Sequence, residues 1–262
     1  MRTLLAALGL ALTFASSAHA WVHAGAPYTI GDSHLYSSGA YGAFNAPFRA
    51  GVLNRGPDYW DMTNITPSTF PNGTVLHSQW PNNTTGCSNN VCGFMEVIYG
   101  DYDFTTSSNP ITAKQISAIN TLTQSVTQSF GGTTVAGYDF ITDIFTTLNP
   151  NDNSGNLHEL EVFQHCPAFC LSFFSGATQV GTYTDGQGNV WSIAHSGADN
   201  LALLQSHADF TSGSIDIKGI FGYLVSQGLM ANTEYFNGLA VGIEPKYLGG
   251  IVTETSLSFS YS

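Results

Sequence analysis

Turn residues punctuate this sequence throughout. Short apolar or alternating runs recur along most of the sequence, separated by Gly, Asn, Pro and Ser, a pattern that reads as strands and turns. Such runs span residues 74–80, 94–99, 137–146, 157–165, 179–183, 190–195, 201–210, 234–243 and 253–261. In the last, Leu257, Phe259 and Tyr261 alternate with Ser256, Ser258 and Ser260, as in a strand with one dry and one wet face. One segment breaks the pattern. Residues 214–224 space Ile215, Ile217, Ile220, Phe221 and Leu224 near a helical period behind Ser214, a plausible N-cap. Residues 112–123 are a weaker helix candidate. Many strands and one packed helix predict an all-β chain, a jelly-roll sandwich of two antiparallel sheets.

The N-terminus reads as an export signal. Arg2 precedes an apolar run at residues 4–14, and Ala18-His19-Ala20 supplies a small-x-small cleavage site, so the mature chain is expected to start at Trp21. That run falls short of the ~20 residues a bilayer-spanning helix needs. Residues 1–20 are therefore read as a signal peptide and 21–262 as a single domain, secreted, not membrane-embedded and monomeric. Lys and Arg total 6 against 18 Asp and Glu, a net charge of -12. Such a field repels phosphate backbones and argues against nucleic acid as a partner, whereas a neutral polysaccharide is not repelled. Cys87, Cys92, Cys166 and Cys170 allow three disulfide pairings in an exported chain, of which the local pairs 87–92 and 166–170 are the simplest.

Charged residues make up only 9% of the chain, so acids placed together carry weight. In Leu157-His158-Glu159-Leu160-Glu161-Val162-Phe163-Gln164-His165, strand alternation puts Glu159, Glu161, Phe163 and His165 on one face. The run cannot be the H-E-x-x-H of a zinc protease, because position 162 is valine and the segment is a strand. No G-x-S-x-G nucleophile elbow is present either. Glu244, in Gly242-Ile243-Glu244-Pro245-Lys246, ends an apolar strand. Apolar neighbours disfavour the ionised form of such an acid, which suits a proton donor. Two carboxylates from different strands are the machinery of glycoside hydrolysis.

These segments and their order resemble the family 12 glycoside hydrolases. His158-Glu159-Leu160-Glu161-Val162-Phe163 is similar to the family's Y-E-[IL]-M-I-W strand, and Gly242-Ile243-Glu244-Pro245-Lys246 to its G-T-E-P-F segment. Gly137-Tyr138-Asp139-Phe140-Ile141-Thr142 resembles S-Y-D-[IL]-[FW]-T, and Gly188-Asn189-Val190-Trp191-Ser192-Ile193 resembles G-x-x-W-x-[LV]. The resemblance implies a long open cleft and retaining, endo-acting hydrolysis of β-1,4-glucans, xyloglucan or mixed-linkage glucans, with no metal or organic cofactor. It implies Glu159 as nucleophile, Glu244 as acid/base and Asp139 as the acid hydrogen-bonded to Glu159. Tyr41, Trp80 and Phe163 are then the expected sugar-stacking residues. The chain departs from the family where Glu161 replaces the thioether, Phe163 the tryptophan and Lys246 the phenylalanine after E-P. Glu161 thereby becomes a rival for the nucleophile. The competing readings are a carbohydrate-binding jelly-roll without catalysis and a secreted interaction protein.

Overall fold

The computed structural model describes residues 28–30, 34–46, 60–80, 91, 93–103, 105–152, 155–196, 201–206 and 208–262. The expected signal peptide, Cys87 and Cys92 lie outside them. In chain order the strands are β1 (Tyr28–Ile30), β2 (Leu35–Ser38), β3 (Tyr41–Ala46), β4 (Trp60–Ile65), β5 (Thr74–Trp80) and β6 (Phe94–Tyr102). The short β7 (Thr105–Thr106) and β8 (Lys114–Gln115) follow, then β9 (Leu122–Gly131), β10 (Tyr138–Thr147) and β11 (Asn156–His165). Helix α1 (Ala168–Gly176) leads into β12 (Thr178–Thr184), β13 (Val190–Ser196), β14 (Leu201–Ser206) and β15 (Ser212–Asp216). Helix α2 (Ile217–Ser226), β16 (Tyr235–Phe236), β17 (Gly238–Pro245) and β18 (Leu248–Tyr261) complete the chain.

The strands form two sheets, a β-jelly-roll sandwich. The smaller runs β1-β4-β5-β18-β9-β15 and the larger β12-β13-β14-β11-β10-β17-β6-β3-β2. Among the described residues, pairing is antiparallel except between β11 and β14, whose intervening chain holds α1, β12 and β13 and is long enough for the crossover a parallel pair requires. Between the sheets, Leu76, Val126, Val252 and Leu257 of the smaller meet Val97, Ile144, Leu160, Val162, Val241 and Ile243 of the larger.

The expected strands are present, with informative differences. The helix begins at Ile217 rather than Ser214, because β15 commits Ser214 and Ile215 to a ladder with β9. The Asp216 carboxylate, not Ser214, caps it by accepting from the Gly219 N–H at 2.9 Å. Residues 112–123 are not an α-helix but β8, a short 3-10 turn and the start of β9. A second helix, α1, stands where none was expected, its first turn closed by the Cys166–Cys170 disulfide with Cα atoms 5.1 Å apart. A bulge near Glu254 resets β18, so that buried Val252 and Glu254 are followed on the same face by Leu257.

A register shift in the β10–β11 pair acts similarly: Phe140 faces His165 while the next residue, Ile141, faces Phe163. The expectation that His165 shares the face of Glu159, Glu161 and Phe163 is thereby corrected. Its ring stacks on Phe130 at 4.9 Å and tilts against Tyr138 at 5.1 Å. Its Nδ1 lies 2.8 Å from Asp209 and its Nε2 2.6 Å from the Val135 carbonyl.

Candidate active site

The site lies on the face of the larger sheet turned away from the smaller one. Alternation along β10 sends Ile144, Thr142 and Phe140 toward the inter-sheet core and leaves Asp139, Ile141, Asp143 and Phe145 on the outer face. β11 and β17 flank β10, and registration decides which acids meet. Asp143 is the cross-strand partner of Glu161 and Ala240, while Asp139 is the partner of Glu244. Beyond β17, Gly242 faces Glu96 of β6. Glu96, Asp139, Asp143, Glu159, Glu161 and Glu244 thus occupy one face of four neighbouring strands.

Apolar packing surrounds these acids. Phe94, Ile98, Tyr102, Ile141, Phe163 and Ala240 form one cluster, joined by Cys170 and Phe174 from α1. Glu96, Asp139 and Asp143 are 1%, 3% and 5% exposed, so their ionised forms lose most of their hydration. Burial therefore pushes all three carboxyls well above the usual range. For Glu96 the charges on Asp103 and Glu244 add to burial. For Asp143 the added charges are Glu159, Glu161 and Glu244, opposed by the Tyr102 hydroxyl, which donates to the Asp143 carboxylate. Asp139 is raised by burial and then by Glu161, while a hydrogen bond shared with Glu244 and the Lys246 cation act the other way. Glu161 is likewise pushed up, by burial first, then by Glu244, then by Glu159.

Two charges act on Glu161, those of Glu244 and Glu159. Glu159 is two residues away on the same strand face, about 7 Å in an extended chain, yet Glu244 acts on Glu161 more strongly. The register agrees. Glu159 pairs with Phe145, Glu161 with Asp143, and Glu244 with Asp139. Along β10, Glu244 is offset by four residues from the level of Glu161 and by six from that of Glu159. Glu161 is thus the acid of β11 nearer in register to Glu244.

Several expectations are corrected here. Asp139 does not sit beside Glu159; it pairs with Glu244. Asp143 is the β10 acid that interacts with β11, and its local sequence Asp143-Ile144-Phe145-Thr146 matches D-[IL]-[FW]-T more fully than the run from Asp139. Tyr41 is no sugar platform. Its ring lies between the sheets, 5.1 Å from Tyr99, 6.2 Å from Phe259 and 6.4 Å from Phe70, and its hydroxyl accepts from the Phe259 N–H at 3.3 Å. Trp80, 2% exposed, donates its indole N–H to Asp61 at 2.8 Å. Phe163 is on the acid face but 1% exposed, under the apolar cluster. Glu96 was missed, although a lone acid in Phe94-Met95-Glu96-Val97-Ile98 is a legible anomaly. The Lys246 ammonium sits 4.9 Å over the Phe169 ring of α1, which accounts for a lysine after Pro245. Among the described residues no group of three or more His, Cys, Asp or Glu is placed to hold a metal ion.

The sequence matches no family model and no curated protein; solved structures supply the likeness. The chain aligns with a family 12 xyloglucanase from Bacillus licheniformis in complex with ligand at a TM-score of 0.70 and 15% identity, covering 91% of this chain and 100% of that one. Endoglucanase 3 of Trichoderma harzianum, also family 12, aligns at a TM-score of 0.69 and 20% identity, covering 92% and 100%. The xyloglucanase domain of an effector from Sinorhizobium fredii, in complex with cellobiose, aligns at a TM-score of 0.61 and 17% identity, covering 90% and 99%. The fold is that of the family 12 glycoside hydrolases.

Proposed function

We propose that this chain is a secreted family 12-type glycoside hydrolase that cleaves β-1,4-glucan-type polysaccharides with retention, using Glu244 as acid/base and Glu161 as nucleophile. The observation that carries this reading is the placement of Asp139, Asp143, Glu161 and Glu244 on one sheet face, with Asp139 opposite Glu244 in register and the charge of Glu244 acting on Glu161. Two carboxyl groups hydrogen-bond to each other only by holding a proton between them. That proton is what a leaving oxygen needs. In the first step a Glu161 carboxylate oxygen attacks the anomeric carbon as Glu244 protonates the departing glycosidic oxygen. In the second, Glu244 takes a proton from water, whose oxygen displaces Glu161 and restores the starting configuration. The ionised Glu161 is tolerable only while its neighbours stay protonated, and the proton held between Asp139 and Glu244 supplies that condition. Asp143, which accepts from the Tyr102 hydroxyl, is the cross-strand partner of Glu161. A neutral glycan suits a face already crowded with acids.

The assignment differs from the one that motif matching favours, since Y-E-[IL]-M-I-W aligns its glutamate with Glu159. Register and the strength of the Glu244 charge support Glu161 instead. Reducing-sugar release from barley β-glucan, carboxymethylcellulose and xyloglucan tests the reading, with Glu161→Gln, Glu159→Gln and Glu244→Gln alongside wild type. Loss of turnover in Glu161→Gln and Glu244→Gln, with Glu159→Gln active, is expected. A second reading, a glycan-binding jelly-roll without catalysis, draws on α1, whose Cys170 and Phe174 pack onto the acid face. Glycan binding with no hydrolysis by wild type would select it.

A further inference from the structure

Trp80 and Phe163 are buried and the half-buried Tyr41 packs between the sheets, which leaves open where a glycan chain is held. Helix α1 offers an answer. Cys170 and Phe174, four residues apart and so on one side of the helix, face the sheet. Leu171 and Phe173 point away and are 43% and 48% exposed. Beside Phe173 lies a hollow of about 270 Å³ lined by Ser172, Phe173, Gly176, Ala177 and Ser196. Its lining holds an accessible aromatic ring, two hydroxyls and no charge.

The hollow belongs to the acid face. Ala194 of β13 is in the apolar cluster with Phe163 and Ile141, and Ser196, two residues on, shares its side of the strand. In register, Ser196 pairs with Leu201 of β14, and Leu201 with Glu159 of β11. Two strand spacings, about 10 Å, therefore separate the backbone at the hollow from that at Glu159. A pyranose ring has apolar C–H faces and hydroxyl edges, so a ring face beside serine hydroxyls is the lining it requires. The disulfide from Cys166 to Cys170 and the burial of Phe174 anchor α1, the helix that carries Phe173, without a ligand, which lowers the ordering cost of binding.

We propose that Phe173, Ser172 and Ser196 form a distal subsite that binds a glycosyl unit of the substrate chain away from the scissile bond. This rests on the hydrolase reading above. The test is kcat/KM on β-1,4-gluco-oligosaccharides of increasing length for the full chain, with Phe173→Ala and Phe173→Trp. Calorimetric titration of cellohexaose into Glu244→Gln, with and without Phe173→Ala, accompanies it. The expected result is a loss in Phe173→Ala that grows with chain length to about five- to tenfold, the range of an aromatic contact. Phe173→Trp retains or exceeds wild-type values, and the calorimetric Kd weakens in parallel. Hydrolysis by wild type with a length dependence untouched by Phe173→Ala overturns the subsite and leaves the hydrolase reading standing. Binding that weakens in Phe173→Ala without hydrolysis by wild type keeps the sugar site and overturns the hydrolase reading.

Discussion

Replacing Gly242 with alanine probes the contact on which the acid geometry depends. Gly242 sits on β17 opposite Glu96 of β6, two residues before Glu244. A Cβ added there would lie 2.4 Å from the Met95 carbonyl oxygen and 2.5 Å from Cε2 of the Phe94 ring. Both are roughly 1 Å inside ordinary van der Waals contact, and the oxygen is backbone, so it cannot swing away. β17 and β6 must separate locally. Overpacking of this kind costs about 1–3 kcal/mol, which in a domain of this size lowers Tm by roughly 2–12 °C. The functional loss should be larger than the stability loss suggests, because β17 carries Glu244 and a misplacement of about 1 Å costs on the order of 10²-fold in rate. Thermal unfolding followed by circular dichroism, together with kcat/KM on barley β-glucan, reads both effects. A variant that melts and turns over like wild type would refute the placement of β17 against β6.

Asp139→Asn keeps a hydrogen-bonding group beside Glu244 but removes the shared proton. The alkaline limb of the kcat/KM profile is expected to move to lower pH, with Glu96 from β6, Asp143 from β10, Glu159 and Glu161 from β11 and Lys246 from the following turn still facing the site; an unmoved limb contradicts proton sharing. Glu254 is 1% exposed and neither carboxylate oxygen has a hydrogen-bond partner, and burial raises its pKa well above the usual range. A carboxyl raised in the folded state lends stability at low pH that is lost as pH rises past its unfolded pKa, so Tm should fall toward neutral pH, and Glu254→Gln should flatten part of that fall; equal slopes count against an isolated buried acid. Tyr41→Leu should lower stability by about 1–3 kcal/mol through lost packing between the sheets while leaving KM unchanged, and a raised KM with unchanged Tm would return Tyr41 to the substrate.

Strand positions were largely legible because turn residues and alternation fix them locally. Residues 74–80 and the span near 190–195 agree with β5 and β13 to within a residue. What local pattern could not show was registration. Whether Asp139 or Asp143 stands beside a given glutamate depends on how β10 pairs with two other strands, and the shift at Ile141 is invisible along one strand. The same limit explains Tyr41, whose side is decided by its pairing with Tyr99. Helix α1 was hidden because Ala168–Gly176 has no side-chain N-cap hydrogen bond and no acid in its first turn, so the usual start signal is missing. The Cys166–Cys170 pair was anticipated from spacing, but not that it begins a helix.

Trapping the covalent intermediate distinguishes Glu161 from Glu159 as the attacking carboxylate of β11. An activated deoxyfluoro glycoside slows breakdown of a covalent glycosyl-enzyme enough for it to be isolated, and peptide mapping by mass spectrometry then locates the sugar. The account predicts one equivalent of adduct on Glu161, with none on Glu159. Adduct on Glu159 would contradict the register argument, and steady hydrolysis with inverted product and no adduct would contradict the retaining mechanism itself.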